Sequence, residues 1–281
     1  MKTSAIVRIV IFAIVIAILL CVMVVGMLGN AFVYNKTDGG TISSEGSVNA
    51  DEIRSIEVEW VGGSITVQTA DTDTITFSET GAEKEEDTMV WKQTGDGLKI
   101  QFQNPKSHFG ISFGFEASLN KDLLITVPKN WTAREFNIES VSADIKTAGL
   151  TATNFELDNV SGTCELEDCD FGELDVNTVS GKIDLNGTVQ DVSLEAVSAN
   201  CTLSLSSGAK QIDMESVSGD LTVYLPAEQG FTASIHGIGG DLSTDFPTTV
   251  SKDMHIHGDG SCKIEAEGVS GNVSIRKRPT P

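Results

Sequence analysis

The chain has 281 residues and carries 40 acidic against 19 basic side chains, a formal net charge of −21. Phosphate recognition relies on clustered Lys and Arg that release counterions, so this balance argues against nucleic acid as a partner, and an anionic membrane surface would repel the acidic part as well. Cations, basic polymers and positively charged proteins are the electrostatically complementary partners.

The amino terminus reads as a membrane segment. Residues 9–29 hold no charge, and a helix of that length spans roughly the 30 Å hydrocarbon core. Lys2 and Arg8 precede it and the next basic residue is Lys36. The positive-inside rule therefore places 1–8 in the cytoplasm and everything after the segment outside the cell membrane. A cleaved signal peptide is the competing reading, but its apolar region runs only about 7–15 residues and ends in a small-residue site. Met27 to Ala31 is a poor site of that kind, and Leu20 is too bulky for a lipoprotein signal ending at Cys21. The following stretch, 30–52, is rich in Gly, Ser and Asn and reads as a flexible tether.

Beyond it the chain repeats itself. Val141, Val160, Val179, Val197, Val217, Ile238 and Val269 each open a phrase of the type Val-Ser-Gly, the first five spaced by 19, 19, 18 and 20 residues. A unit of that size with strand alternation and no helical pattern cannot bury an apolar face alone, so copies must stack. The expected fold is all-β: a single-chain parallel β-solenoid over 53–275, with coils of about 19 residues and the right-handed winding usual for parallel crossovers, preceded by one transmembrane helix.

Aligned on the Val, apolar pairs stand five and three places earlier, as in Phe136/Ile138, Phe155/Leu157 and Leu174/Val176. A second apolar column stands four places later, at Ile145, Cys164, Ile183, Cys201, Leu221, Leu242 and Val273. Two strands per coil follow, joined at a corner where Val faces inward, Ser faces outward and the next residue, Gly or Ala, packs closely. Polar turns such as 147–149 and 206–208 close each coil.

The phrase at Val61 with Ile56, Val58 and Ile65, and the alternating pairs Ile75/Phe77 and Leu98/Ile100, extend the pattern towards the amino terminus. Residues 103–121 interrupt it as an excursion, and 276–281 form a basic tail. The irregular first and last units are expected to cap the exposed ends.

The Val-Ser-Gly phrase at this spacing, the Leu-x-Val-x-Leu-Pro segment 221–226 and the amino-terminal anchor together resemble the bacterial putative-adhesin family of β-strand-repeat proteins of unknown function. The resemblance covers roughly 53–275. It implies a β-repeat fold at the cell surface, associates relatives with envelope stress, and brings no catalytic residue to transfer.

Outward positions stack as inward ones do. Two places before the Val stand Glu139, Asp158, Asn177, Glu195 and Glu215; four places before stand Asn137, Glu156, Asp175, Ser193 and Asp213. Neighbouring carboxylates at the coil spacing of about 4.8 Å repel by roughly 1 kcal/mol even at the dielectric of water. A solvated face that keeps the protein soluble is the plain reading, and diffuse divalent-cation binding is the alternative. No cofactor is expected.

His255 and His257 share one strand face, with Asp259 two places on; they are weak candidates for a metal site and no better one exists in the sequence. Cys164 and Cys201 fall in one inward column two coils apart, beyond disulfide reach, and read as core residues. No Ser-His or Cys-His arrangement declares itself, and the repeats offer few basic or aromatic residues to hold a sugar.

The leading expectation is a non-enzymatic, membrane-anchored surface protein, an adhesin or envelope-binding module for a wall polymer or another envelope protein. A regulatory or scaffolding component of an envelope-stress system is the alternative, and a β-helix carbohydrate-active enzyme the least favoured.

Overall fold

A computed structural model of the chain describes residues 39–84, 87–103, 120–237 and 239–279. The anchor expected at 9–29 and most of the 103–121 excursion lie outside the described residues; the tether expected over 30–52 is, from Thr41 on, strand and 3-10 turn instead, because Val48 and Ala50 are buried in the core. Among those described, no helix is long and apolar enough to cross a membrane.

The amino-terminal part comprises β1 (Thr41–Ile42), β2 (Glu45–Asn49), a 3-10 turn (Ala50–Glu52), β3 (Ser55–Ala70), β4 (Thr74–Thr80), β5 (Val90–Thr94), β6 (Gly97–Gln101) and β7 (Lys121–Pro128). The body comprises β8 (Thr132–Ala148), β9 (Thr151–Asn159), β10 (Thr163–Leu205), β11 (Gln211–Ser218) and β12 (Leu221–Leu225). The carboxyl-terminal part comprises β13 (Phe231–Gly237), β14 (Leu242–Thr244), β15 (Thr249–Ser251), β16 (Met254–His257), β17 (Cys262–Ser270) and β18 (Val273–Lys277). All belong to one continuous hydrogen-bonded sheet.

In the body each residue pairs in parallel with its equivalent one repeat away: Phe136 with Phe155, Phe155 with Leu174, Ile145 with Cys164, Cys201 with Leu221. The repeat period is thus the coil length of a parallel solenoid. The alternation of buried and exposed residues slips by one residue at three places in each coil, where two successive residues face outward: 134–135, 141–142 and 148–149 in the first body coil. Each slip is a corner, so a coil has three sides and not the two expected. The first side points Phe136, Ile138 and Ser140 inward, the second Ala143, Ile145 and Thr147, and a short third side Leu150 and Ala152.

The corner phrase differs from its sequence reading. Val141, Val160, Val179, Val197, Val217 and Val269 are half-buried at the corner, while the preceding residue carries the inward parity: Ser140, Asn159, Thr178, Ala196 and Ser216 are all buried. Hydroxyls serve there because the bend takes backbone groups out of the ladder. Ser140 Oγ accepts from the Ala143 amide (3.1 Å), and Thr178 Oγ1 donates to the Ser180 carbonyl (3.2 Å). The phrase Ser bridges coils instead: Ser142 donates its hydroxyl to the Val61 carbonyl (3.2 Å), and Ser161 and Ser180 donate to those of Val141 and Val160 (3.4 Å each).

Coil order departs from sequence order at both ends. The first half of β3 pairs with β6 and the second half with β7, and its other edge carries β8, so β3 lies one layer inside strands that follow it in sequence. Symmetrically, β17 runs between β11 and β13, and β18 between β12 and β14. Polar contacts pin this inserted coil. The amide and side chain of Asn272 donate to Asp220 Oδ1 (2.7 and 3.1 Å), while Asn272 Oδ1 accepts from the Asp241 amide (3.2 Å).

The core is one apolar cluster running from Val48 to Ile275, with Phe136, Phe155 and Phe171 stacked at 5.9 and 4.8 Å between ring centroids. Cys164, Cys169, Cys201 and Cys262 are buried and free, and burial pushes the last three thiols up to about 12. They act as small core residues, since a thiol held protonated is not a nucleophile.

Candidate functional site

The first side of the solenoid presents two outward columns in strict register. One runs Glu59, Glu139, Asp158, Asn177 on β3, β8, β9 and β10, then continues through Glu195, Glu215 and Glu267. The other runs Glu57, Asn137, Glu156, Asp175, then Ser193, Asp213 and Glu265. The structure therefore brings together every acidic residue that the repeat offset had placed on one face. It also adds Glu57, Glu59, Glu265 and Glu267, which were missed although they stand four and two places before Val61 and Val269.

Among the described residues, the basic side chains bonded to this ladder stand at its two ends. Lys99 bonds Glu57 (2.8 Å) and Glu59, whose other oxygen accepts from Gln101 (2.6 Å). At the far end Lys263 pairs with Glu265 (2.7 Å), and His236 is in register with Glu267. Between them, Glu139, Glu156, Asp158, Asp175, Glu195 and Glu215 make no ion pair among the described residues.

Burial against neighbouring side chains raises all six carboxyls above the ordinary carboxylate range; flanking carboxylates add to it at every one but Asp175, where a hydrogen bond with Ser193 opposes it. Asp158 is partly relieved by a hydrogen bond from Asn177 (2.8 Å). Glu139 has no such donor. Burial first, then Glu59, Asp158 and Glu57, push it up to about 7 against the opposing pull of Lys99.

A pH dependence follows. Because the folded chain holds a proton at Glu139 that the unfolded chain releases near 4.5, this stabilisation is complete below about 4.5 and is lost as pH rises through about 7. Thermal unfolding is expected at higher temperature at pH 5.5 than at pH 8. Glu139→Gln is expected to add about 1 kcal/mol at pH 8, the full linkage value being reduced by solvent screening on an open face, and to flatten the slope. An unchanged slope in that variant would show that the ladder is not its source.

The candidate metal residues are placed differently. His255 and His257 pair with Ala233 and Phe231, so both turn towards the carboxyl-terminal end of the core, on one face as their spacing implied. The His257 ring packs between Phe231 (5.6 Å) and Phe246 (4.8 Å), and its Nδ1 donates to the Pro247 carbonyl (2.8 Å). Asp259 accepts from the Ser261 amide (3.0 Å), and the bonds from Ser261 hold its carboxyl below the usual range. Among the described residues no three His, Cys, Asp or Glu side chains form a group able to hold a metal ion.

One buried ion pair escaped the sequence reading. Lys121 Nζ bonds Glu79 Oε2 (2.7 Å) with both side chains almost wholly enclosed, at 2% and 0% exposure. It also donates to the carbonyls of Asp87 (2.7 Å) and Gln103 (3.2 Å) and lies 3.9 Å from the centre of the Phe102 ring. It thus fastens two segments of the amino-terminal cap from inside.

Stacked parallel coils with side-chain ladders running along them define a β-solenoid repeat domain. The chain belongs to the Toastrack DUF4097 family, whose model matches residues 53–276, in keeping with the resemblance carried by the Val-Ser-Gly phrase. Among solved structures it is similar to a putative adhesin from Bacteroides fragilis, at 16% identity over 82% of this chain and 95% of that one, with a TM-score of 0.48. A putative cell adhesion protein from Clostridium sporogenes matches at 12% identity over 83% and 98%, TM-score 0.39. A putative lipid binding protein from Parabacteroides distasonis matches at 15% over 86% and 97%, TM-score 0.36. No curated protein matches the chain.

Proposed function

We propose that this chain is a non-enzymatic cell-surface protein of the adhesin or envelope-binding kind, anchored in the cell membrane by 9–29 with its amino terminus in the cytoplasm and its solenoid outside. The observation that carries this reading is the ladder on the first side. Like-charged groups recur at the coil spacing of about 4.8 Å, with counter-charges, among the described residues, at the ends, so a repetitive basic partner meets many equivalent weak contacts. Such contacts gain strength by avidity. The uncharged run 9–29 behind Lys2 and Arg8 supports the placement.

The test is retention of the exported domain on purified cell wall and on immobilised polylysine across a salt series. Replacing Glu156, Glu195 and Glu215 with Gln relieves repulsion, so the fold should hold while retention falls about tenfold or more, as expected when several of many ionic contacts are lost. Absence of binding at every salt concentration, or binding indifferent to the triple variant, would overturn the reading. Extraction of the full chain from membranes by alkaline carbonate would overturn the anchor.

A further inference from the structure

The two poles of the solenoid end differently. At the amino-terminal pole the coil formed by β6 and β7 is covered on both halves by antiparallel strands, β5 and β4. At the other pole the outermost coil is β13 and β14, and the β15–β16 hairpin covers it only from Phe231 to Ser234. Beyond Ser234 the cap stops. β14 pairs with β18 alone, so among the described residues its outer edge has no neighbour.

That edge is in hydrogen-bonding order. The Asp241 carbonyl accepts from the Val273 amide (3.0 Å) and the Asp245 amide donates to the Ile275 carbonyl (3.1 Å). In a parallel ladder alternate residues bond the same neighbour, so the N–H and C=O groups of Leu242 and Thr244 point away from β18 to the open side. At the foot of the edge lies a groove of about 360 Å³ whose walls include Ile235, Leu242, Asp241, Asp253 and His255. Among the described residues no Lys or Arg lines it, and His255 Nδ1 is buried without a hydrogen-bond partner.

We propose that this uncapped edge takes up an extended basic peptide as the next strand of the stack, its backbone pairing with Leu242 and Thr244 and a Lys or Arg side chain entering the groove beside Asp241 and Asp253. Strand addition supplies affinity through main-chain bonds and selects side chains through an adjacent pocket. The charge of the groove selects the occupant: a second copy would set Asp241 and Asp253 against themselves, while Asp245 is already paired with Arg276 (3.2 Å). The proposal is independent of the ladder, which lies on another side of the coil.

The probe is a fluorescent, end-blocked nonapeptide of alternating Lys and Val, titrated into the full chain in detergent micelles, with the Glu-Val counterpart as control. Saturable binding of the basic peptide alone is expected, with amide exchange slowed across 242–244. Thr244→Pro removes an outward N–H at a place where an edge strand accepts proline and should weaken binding at least tenfold; Asp253→Asn should weaken it several-fold. The triple ladder variant should keep the peptide-dependent protection of 242–244, the readout that reports the edge and not the ladder. Slowed exchange at 242–244 is read on the parent protein and so does not depend on any variant folding. Three results would overturn the proposal: no saturable binding, binding lost only in the ladder variant, or protection of 242–244 that rises with protein concentration without peptide, which would assign the edge to a second copy.

Discussion

Replacing Lys121 with Ala is expected to lower the unfolding free energy by about 3–5 kcal/mol, because it leaves the partner charge buried and unpaired. Glu79 is fully enclosed, and beside the bond from Lys121 its Oε1 accepts from the Met89 amide (3.2 Å). Burial already raises the Glu79 carboxyl and lowers the Lys121 ammonium, each opposed by the other's charge. With the lysine gone, Glu79 must take up a proton to stay inside, so the damage should shrink as pH falls. The double variant Lys121→Met with Glu79→Leu removes both charges while keeping most of the volume and should recover more than half of the loss. It should not recover all, since the Asp87 and Gln103 carbonyls lose their donor. Urea unfolding of the three proteins decides the matter. Equal losses in the single and double variants would assign the cost to packing against Trp60 and Phe102 instead of to charge.

The same pair shows what alternation reveals. Lys121 continues the inward parity of Leu123, Ile125 and Val127, and Glu79 that of Ile75 and Phe77. Two opposite charges, each at the end of an apolar alternation, were a legible sign of an internal ion pair; hydropathy alone conceals it. The stacking of coils and the register of the acidic columns were legible because a period of about 19 fixes which residues become neighbours. The corner was misread because Val is apolar, whereas the parity of Phe136 and Ile138 leads to Ser140. Position in the pleat outweighs residue type there, since the inward hydroxyls satisfy backbone groups that the bend exposes. The third side was hidden because it is short and its inward residues, Leu150 and Ala152 or Cys169 and Phe171, lie within polar sequence. The insertion of β17–β18 between earlier coils had no sequence signal, because its repeat phrase fits every slot in the stack equally well.

Gly219→Ala is expected to cost about 3 kcal/mol or more, from backbone strain and a contact that cannot relax. Gly219 has φ of +144°, and a Cβ there would fall 1.9 Å from the Ala199 carbonyl oxygen and 2.8 Å from its carbon, both backbone atoms of the coil below. Gly162, Gly181 and Gly271 repeat this geometry, with φ of +127°, +150° and +143° and carbonyl approaches of 2.5, 2.4 and 2.0 Å. Ala199 itself fills the same place in its own coil and has no positive φ, so the corner exists in two backbone forms. Gly219 cannot simply change to the alanine form, because its own carbonyl lies 2.0 Å from where a Cβ of Gly271 would be. A shift would therefore pass into the inserted carboxyl-terminal coil and loosen the Asp220–Asn272 contact. Gly208 provides the control: it has φ of +77° and open space around it, so Gly208→Ala should cost only about 1 kcal/mol from conformation. Denaturant unfolding of both variants separates the causes. Equal losses would mean that left-handed backbone alone selects glycine at the corner, whereas a threefold difference identifies carbonyl-to-Cα stacking between coils as what the repeat phrase encodes.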